Sequence, residues 1–280
     1  MPFEQRPFAV AGAPGLRGEA TGEGPPVVLC HGITATRRQV LHGSKALPRA
    51  GYEVIAYDAR GHGSSDPAPA GEGYGYPDLV GDLERVVAER VGGGRFLLGG
   101  HSMGAHTAVG YALRHPDRLA GLVVIGPVYA GTVEPASLDY WDGLAAALET
   151  DGIEGFLAYL DERQGIDPRW RDSVLRFTRE RLQAQEHPEA LVAALREVPR
   201  SRPFGSVAEL GGLEVPALVV ASNDDADPGH PHAAAAAYAE ALPRARLIAE
   251  EPGESPLAWQ GGRLSRALAG FYAEALSSAV

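Results

Sequence analysis

Six short runs of this chain, residues 26–30, 53–57, 95–99, 122–126, 217–221 and 245–249, are apolar almost throughout. A strand with one wet face alternates apolar and polar residues, whereas a strand buried on both faces does not. Helix-length amphipathic segments separate the runs, so the expected architecture is a mostly parallel sheet with helices on both sides. Residues 8–10 and 16–20, flanking Gly12-Ala13-Pro14-Gly15, predict an antiparallel hairpin at the sheet edge.

The rhythm breaks after Tyr129 and resumes at Val215. Between them the pattern predicts helices over 138–149, 152–163, 170–185 and 188–198, punctuated by Gly165, Pro168, Pro188 and Pro199. The simplest organisation is one sheet in two parts, 1–131 and 207–280, with a helical cap insertion over 132–206. Such a cap would lie over the carboxyl ends of the strands, where open α/β sheets bind ligands.

The segment Arg95-Phe96-Leu97-Leu98-Gly99-Gly100-His101-Ser102-Met103-Gly104 carries the strongest chemical signal. An apolar strand meets Gly-x-Ser-x-Gly, and a helix follows, which is the context of a nucleophile elbow. Two further landmarks are His31-Gly32-Ile33-Thr34 after run 26–30 and Arg60-Gly61-His62-Gly63-Ser64-Ser65 after run 53–57. On these three motifs the chain resembles the α/β-hydrolase family over nearly its whole length. The resemblance implies a mostly parallel eight-stranded sheet flanked by helices, with Ser102 as nucleophile. It also implies an oxyanion hole from the N–H groups of Ile33 and Met103, and a structural, loop-packing role for His62.

The family's order is Ser, then Asp or Glu, then His. After run 217–221 comes Ser222-Asn223-Asp224-Asp225-Ala226-Asp227-Pro228, and the resemblance selects Asp224 as the acid, with Asp225 and Asp227 as register alternatives. The histidine itself is missing. No histidine follows His232, and aligned through Gly253 the family position holds Glu254. A serine hydroxyl needs a neighbouring base. One candidate is Glu254, raised in pKa by burial beside Asp224, an arrangement that resembles the sedolisin peptidases on another fold. Another is a displaced histidine, His230 or His232, with His101 and His106 as weaker candidates. A third possibility is that hydrolysis is lost and the chain is a ligand-binding protein, lyase or cyclase, since fold does not dictate function.

The expected ligand is a small or medium carbonyl compound such as an ester or lactone, with His31, Tyr129, Trp141 and Trp259 as its contacts. A net charge of −11 with scattered basic residues argues against nucleic acid and anionic membranes. The single cysteine, Cys30, excludes an internal disulfide. The amino-terminal residues lack the pattern of a signal peptide, so the expectation is a cytoplasmic protein. The histidines and acids show no metal-ligand spacing and no glycine loop is set to cradle phosphate, so no metal or cofactor is expected.

Overall fold

A computed structural model describes residues 3–277. Its strands are β1 (Gln5–Val10), β2 (Leu16–Thr21), β3 (Pro26–Cys30), β4 (Glu53–Tyr57), β5 (Phe96–His101), β6 (Leu119–Ile125), β7 (Ala217–Val220) and β8 (Ala245–Ile248). They form one sheet in the order β1-β2-β4-β3-β5-β6-β7-β8. The pairs β1–β2 and β2–β4 are antiparallel and all others are parallel. This is the mostly parallel sheet that the apolar runs predict, with the eight strands that the resemblance implies and the expected hairpin at one edge.

The helices are α1 (Ala46–Arg49), α2 (Tyr76–Arg90), α3 (Met103–Arg114), α4 (Pro135–Arg163), α5 (Arg171–Gln183), α6 (Pro188–Glu197), α7 (His232–Ala241) and α8 (Gly261–Ser277). Period-two alternation along the strands sends side chains to both faces. Val28, Leu98 and Val124 pack with Leu83 of α2, Val109 of α3 and Tyr238 of α7. Val27, Leu97 and Val123 pack on the opposite face with Leu47 of α1 and Leu264, Leu268 and Phe271 of α8. Two dry faces explain why these runs carry no polar alternation. β8 departs from that expectation: Arg246 and Leu247 are exposed because it is the last strand, with a neighbour on one side only.

Two features of the topology position the site. From β3 the chain steps outward to β4, and α2 then carries it back past β3 to β5, so the direction of winding changes between β3 and β5. The loops leaving these two strands therefore diverge, and the crevice between them is where an open α/β sheet takes its ligand. In addition, β6 and β7 are parallel neighbours, with Leu122 beside Ala217, yet α4, α5 and α6 intervene in the chain. Those helices pack Leu144, Phe156, Leu160 and Leu195 against Ile33, Leu79 and Met103. The first two predicted helices run together as α4, broken at Gly152 by a positive φ of 64° that glycine adopts without Cβ strain. No helix among the described residues is long and apolar enough to cross a membrane.

Candidate active site

Ser102 sits between β5 and α3 with φ 54° and ψ −117°, a conformation costly for a residue with a Cβ, on the order of 1–3 kcal/mol. The surroundings enforce it. The Ser102 N–H donates to the Ile125 carbonyl at 2.9 Å, tying the turn to the end of β6. A Cβ on Gly100 would stand 2.1 Å from the Gly104 carbonyl oxygen, and one on Gly104 would stand 2.2 Å from the Cys30 carbonyl oxygen. Both glycines are therefore required by contact with backbone, which cannot give way. Met103 begins α3, where the opening N–H groups have no partner within the helix.

Ser102 opens into a cavity of about 750 Å³, within the roughly 300–1,000 Å³ range of small-molecule sites. Its wall includes Ile33, His42, His101, Trp141, Phe177, Arg181, Asp227, His230 and Trp259. Of the four ligand contacts expected from the sequence, Trp141 and Trp259 line this cavity. Tyr129 does not: it is buried, donating its hydroxyl proton to the Phe204 carbonyl at 3.1 Å. His31 does not either. Its Nδ1–H donates to the Gly32 carbonyl at 2.8 Å, and its Nε2 accepts the Ala59 N–H at 2.9 Å, so both nitrogens hold the loop that carries Ile33. Burial and the adjacent His62 lower the His31 pKa to about 4.

Asp227 and His230, both in the cavity wall, come from one turn after β7. The N–H groups of Ala226 and Asp227 donate to the Asn223 carbonyl, and the His230 N–H donates to that of Asp227. This winding sets Asp227 and His230, three residues apart, side by side, and His230 Nδ1 lies 2.9 Å from Asp227 Oδ2. Asp227 is buried at 5% exposure, whereas the His230 side chain keeps 19%. Burial pushes the Asp227 carboxyl up. The opposing charge and hydrogen bond of His230, with His101 and Arg181 beyond it, outweigh that and leave its pKa lowered.

His230 also packs beside the strand end that holds Ser102. A Cβ on Gly126 would stand 3.2 Å from the His230 ring, and Gly126 directly follows Ile125, which holds the Ser102 N–H. The His101 ring, one residue before Ser102, lies 4.9 Å from the His230 ring. Burial first, then the nearby His230, hold the His101 pKa well below the usual histidine value, and its Nε2 is buried without a hydrogen-bond partner.

Other expected site residues lie elsewhere. Asp224 is exposed and accepts the His232 N–H at 2.7 Å, which orders the start of α7. Asp224, the expected acid, thus serves the start of α7, and the buried carboxylate in the cavity wall is the register alternative Asp227. Asp225 pairs with Arg169 at the surface. Glu254 is exposed and paired with Arg263, away from the cavity. The Arg263 hydrogen bond lowers its pKa, the reverse of the shift a carboxylate base requires. His232 stands at the first turn of α7, outside the cavity wall.

His106 is buried, with Nδ1 2.9 Å from the Tyr76 hydroxyl and Nε2 accepting the N–H groups of Val128 and Tyr129. His62 is buried between the carbonyls of Arg60 and Ile33. Beside it, Arg60 forms two hydrogen bonds to Asp82, at 2.6 and 2.9 Å.

His42 and Arg181 are among the cavity residues absent from the expectations. His42, at φ 48°, lies 3.2 Å through Nε2 from the Ala258 carbonyl, and burial lowers its pKa. Arg181 reaches the cavity from α5. Neither lies in a motif; a positive φ and a tertiary contact leave no mark on local sequence.

A model of the alpha/beta hydrolase fold family matches residues 25–262. Epoxide hydrolase B of Mycobacterium tuberculosis (strain ATCC 25618 / H37Rv) is 39% identical over 109 residues. That stretch is 39% of this chain and only 30% of the relative's length. Among solved structures, a thermophilic esterase from Thermogutta terrifontis aligns with a TM-score of 0.77 at 22% identity, covering 97% of this chain and 99% of that one. The enol-lactonase from Burkholderia xenovorans LB400 aligns with a TM-score of 0.72 at 20% identity, covering 99% and 100%. At these identities the two structures establish likeness of fold.

Proposed function

Because the chain belongs to the α/β-hydrolase fold family, we propose that it is a serine hydrolase whose base is a displaced histidine, His230, oriented by Asp227. The observation that carries this reading is the Asp227–His230 pair, packed against the strand end that also holds Ser102. Its substrate is a small or medium ester or lactone.

The roles follow from the chemistry of each group. Asp227 fixes the imidazole with Nδ1–H donating to its carboxylate, which leaves Nε2 free to take a proton. His230 accepts the Ser102 proton, directly or through one water, as the hydroxyl oxygen attacks the substrate carbonyl. Negative charge then gathers on the carbonyl oxygen, and the N–H groups of Ile33 and Met103 receive it. His230 returns its proton to the leaving oxygen, and water attacks the acyl-enzyme by the same route. The neutral His101 ring beside His230 adds no competing charge. Trp141, Phe177 and Trp259 in the cavity wall suit a substrate with an apolar body.

Turnover of p-nitrophenyl butyrate tests the reading. The account expects hydrolysis that falls by at least about 10³-fold in Ser102→Ala, with an acyl-enzyme adduct on the Ser102 peptide by mass spectrometry. A folded protein that turns over no ester or lactone between pH 5 and 9 would favour the ligand-binding alternative.

A further inference from the structure

We infer that Arg181 anchors a carboxylate on the substrate, so that the preferred ligands are half-esters or lactones bearing a free carboxylate on an apolar body. This inference rests on the cavity being the active site. Arg181 stands on α5 in the cavity wall, among Val174, Phe177 and Thr178 of the same helix. Its terminal nitrogen donates to Thr178 Oγ1 at 2.8 Å, but its Nε is buried without a partner. No carboxylate among the described residues forms an ion pair with it.

The fold treats its buried arginine differently elsewhere. Arg60 is held by both oxygens of Asp82 and by Glu72. Burying a guanidinium nitrogen without such a partner is costly; the half-buried Arg181 leaves its Nε in that state, and burial lowers its pKa. Arg181 lines the same cavity as Ser102, Asp227 and His230, and its charge contributes to the lowered pKa values of Asp227, His101 and His42. Asp227 is no substitute counterion, because its carboxylate is bonded to His230. The other charged wall residues, Arg38, Arg163 and Glu180, are exposed.

The missing counter-charge therefore belongs to the ligand. A guanidinium recognises carboxylate as a planar fork. One half-buried cation facing a site that already holds one carboxylate suits a monoanion better than a phosphate dianion.

The test compares p-nitrophenyl hexanoate with the p-nitrophenyl half-esters of succinate, glutarate and adipate. The series varies the separation between the ester carbonyl and the free carboxylate. The inference expects at least one half-ester to exceed the neutral ester in kcat/KM by about tenfold or more. In Arg181→Met that ratio falls about 100-fold, while Arg181→Lys, which keeps the charge but not the fork, retains part of it. A wild-type enzyme that hydrolyses the neutral ester and prefers no half-ester overturns the anchor while leaving the hydrolase reading intact.

Binding provides a readout independent of turnover. In calorimetry on wild type, hexanoate should bind more tightly than hexanamide, and Arg181→Met should abolish the difference. Equal affinities in wild type overturn the inference, whether or not any ester is hydrolysed.

Discussion

His230 donates its Nδ1–H to Asp227 Oδ2 across 2.9 Å, and the two residues belong to one turn between β7 and α7. A carboxylate and an imidazole three residues apart in the same turn need no second loop to meet. On the proposed reading the carboxyl-terminal loop after β8 does not supply the base. It contributes Ala258 and Trp259 to the cavity wall and is held in place by Glu250, which accepts the N–H groups of Asn223 and Leu257 at 2.6 and 2.8 Å.

The pair predicts a sharp contrast between neighbouring aspartates. Asp227→Asn should lower kcat by about 10³- to 10⁴-fold, because an amide permits the wrong tautomer. Asp224→Asn should leave kcat within a few-fold of wild type and cost only part of a helix-start hydrogen bond. Steady-state kinetics on one neutral ester, with circular dichroism to confirm folding, checks both.

The fold was legible from residues whose burial is on both faces: Val27, Val28, Leu97, Leu98, Val123 and Val124 read as strand because each finds a dry side. Ser102 was legible because Gly100 and Gly104 are fixed by backbone contact within and beside the same turn. Asp227 and Asp224 were not separable, since the winding about Asn223 decides which carboxylate turns inward. Glu254 occupied the expected position in alignment, but its partner Arg263 lies nine residues on along the surface, which no alignment column records. Arg181 was illegible because its significance lies in what it fails to meet.

Acid sensitivity should come from histidines held neutral. The His31 pKa is lowered to about 4 by burial with His62 beside it, and the His106 pKa to about 3 by burial, with His230 adding to the effect. An unfolded chain takes up protons at these sites near pH 6.5 while the folded chain does not. Stability should therefore be full above pH 6.5 and fall as pH drops towards 4, by an amount on the order of a few kcal/mol. Urea midpoints at pH 7.5, 6, 5 and 4.5 measure the slope, and His31→Gln should flatten it.

The elbow tolerates no added methyl. Gly104→Ala would drive a Cβ to 2.2 Å from the Cys30 carbonyl oxygen, forcing β3 and α3 apart. A loss of about 3 kcal/mol or more is expected, at or beyond the upper end of ordinary overpacking, because backbone rather than a side chain must move. Gly43→Ala is the control for space, since nothing lies within 4 Å of its added Cβ, although its φ of 73° carries a conformational cost of its own. Thermal melts of the two variants should differ by several degrees, Gly104→Ala melting lower.

The rate at which a fluorophosphonate labels Ser102 tests the displaced base most directly, because it reads activation of the hydroxyl without requiring the natural substrate. The measurement compares wild type, His230→Asn and Glu254→Gln at pH 7.5, with Ser102→Ala as the blank. The account predicts rapid labelling in wild type, a loss of at least about 10²-fold in His230→Asn, and an almost unchanged rate in Glu254→Gln. Undiminished labelling of a folded His230→Asn, with loss confined to Glu254→Gln, would contradict it and return the base to the loop after β8.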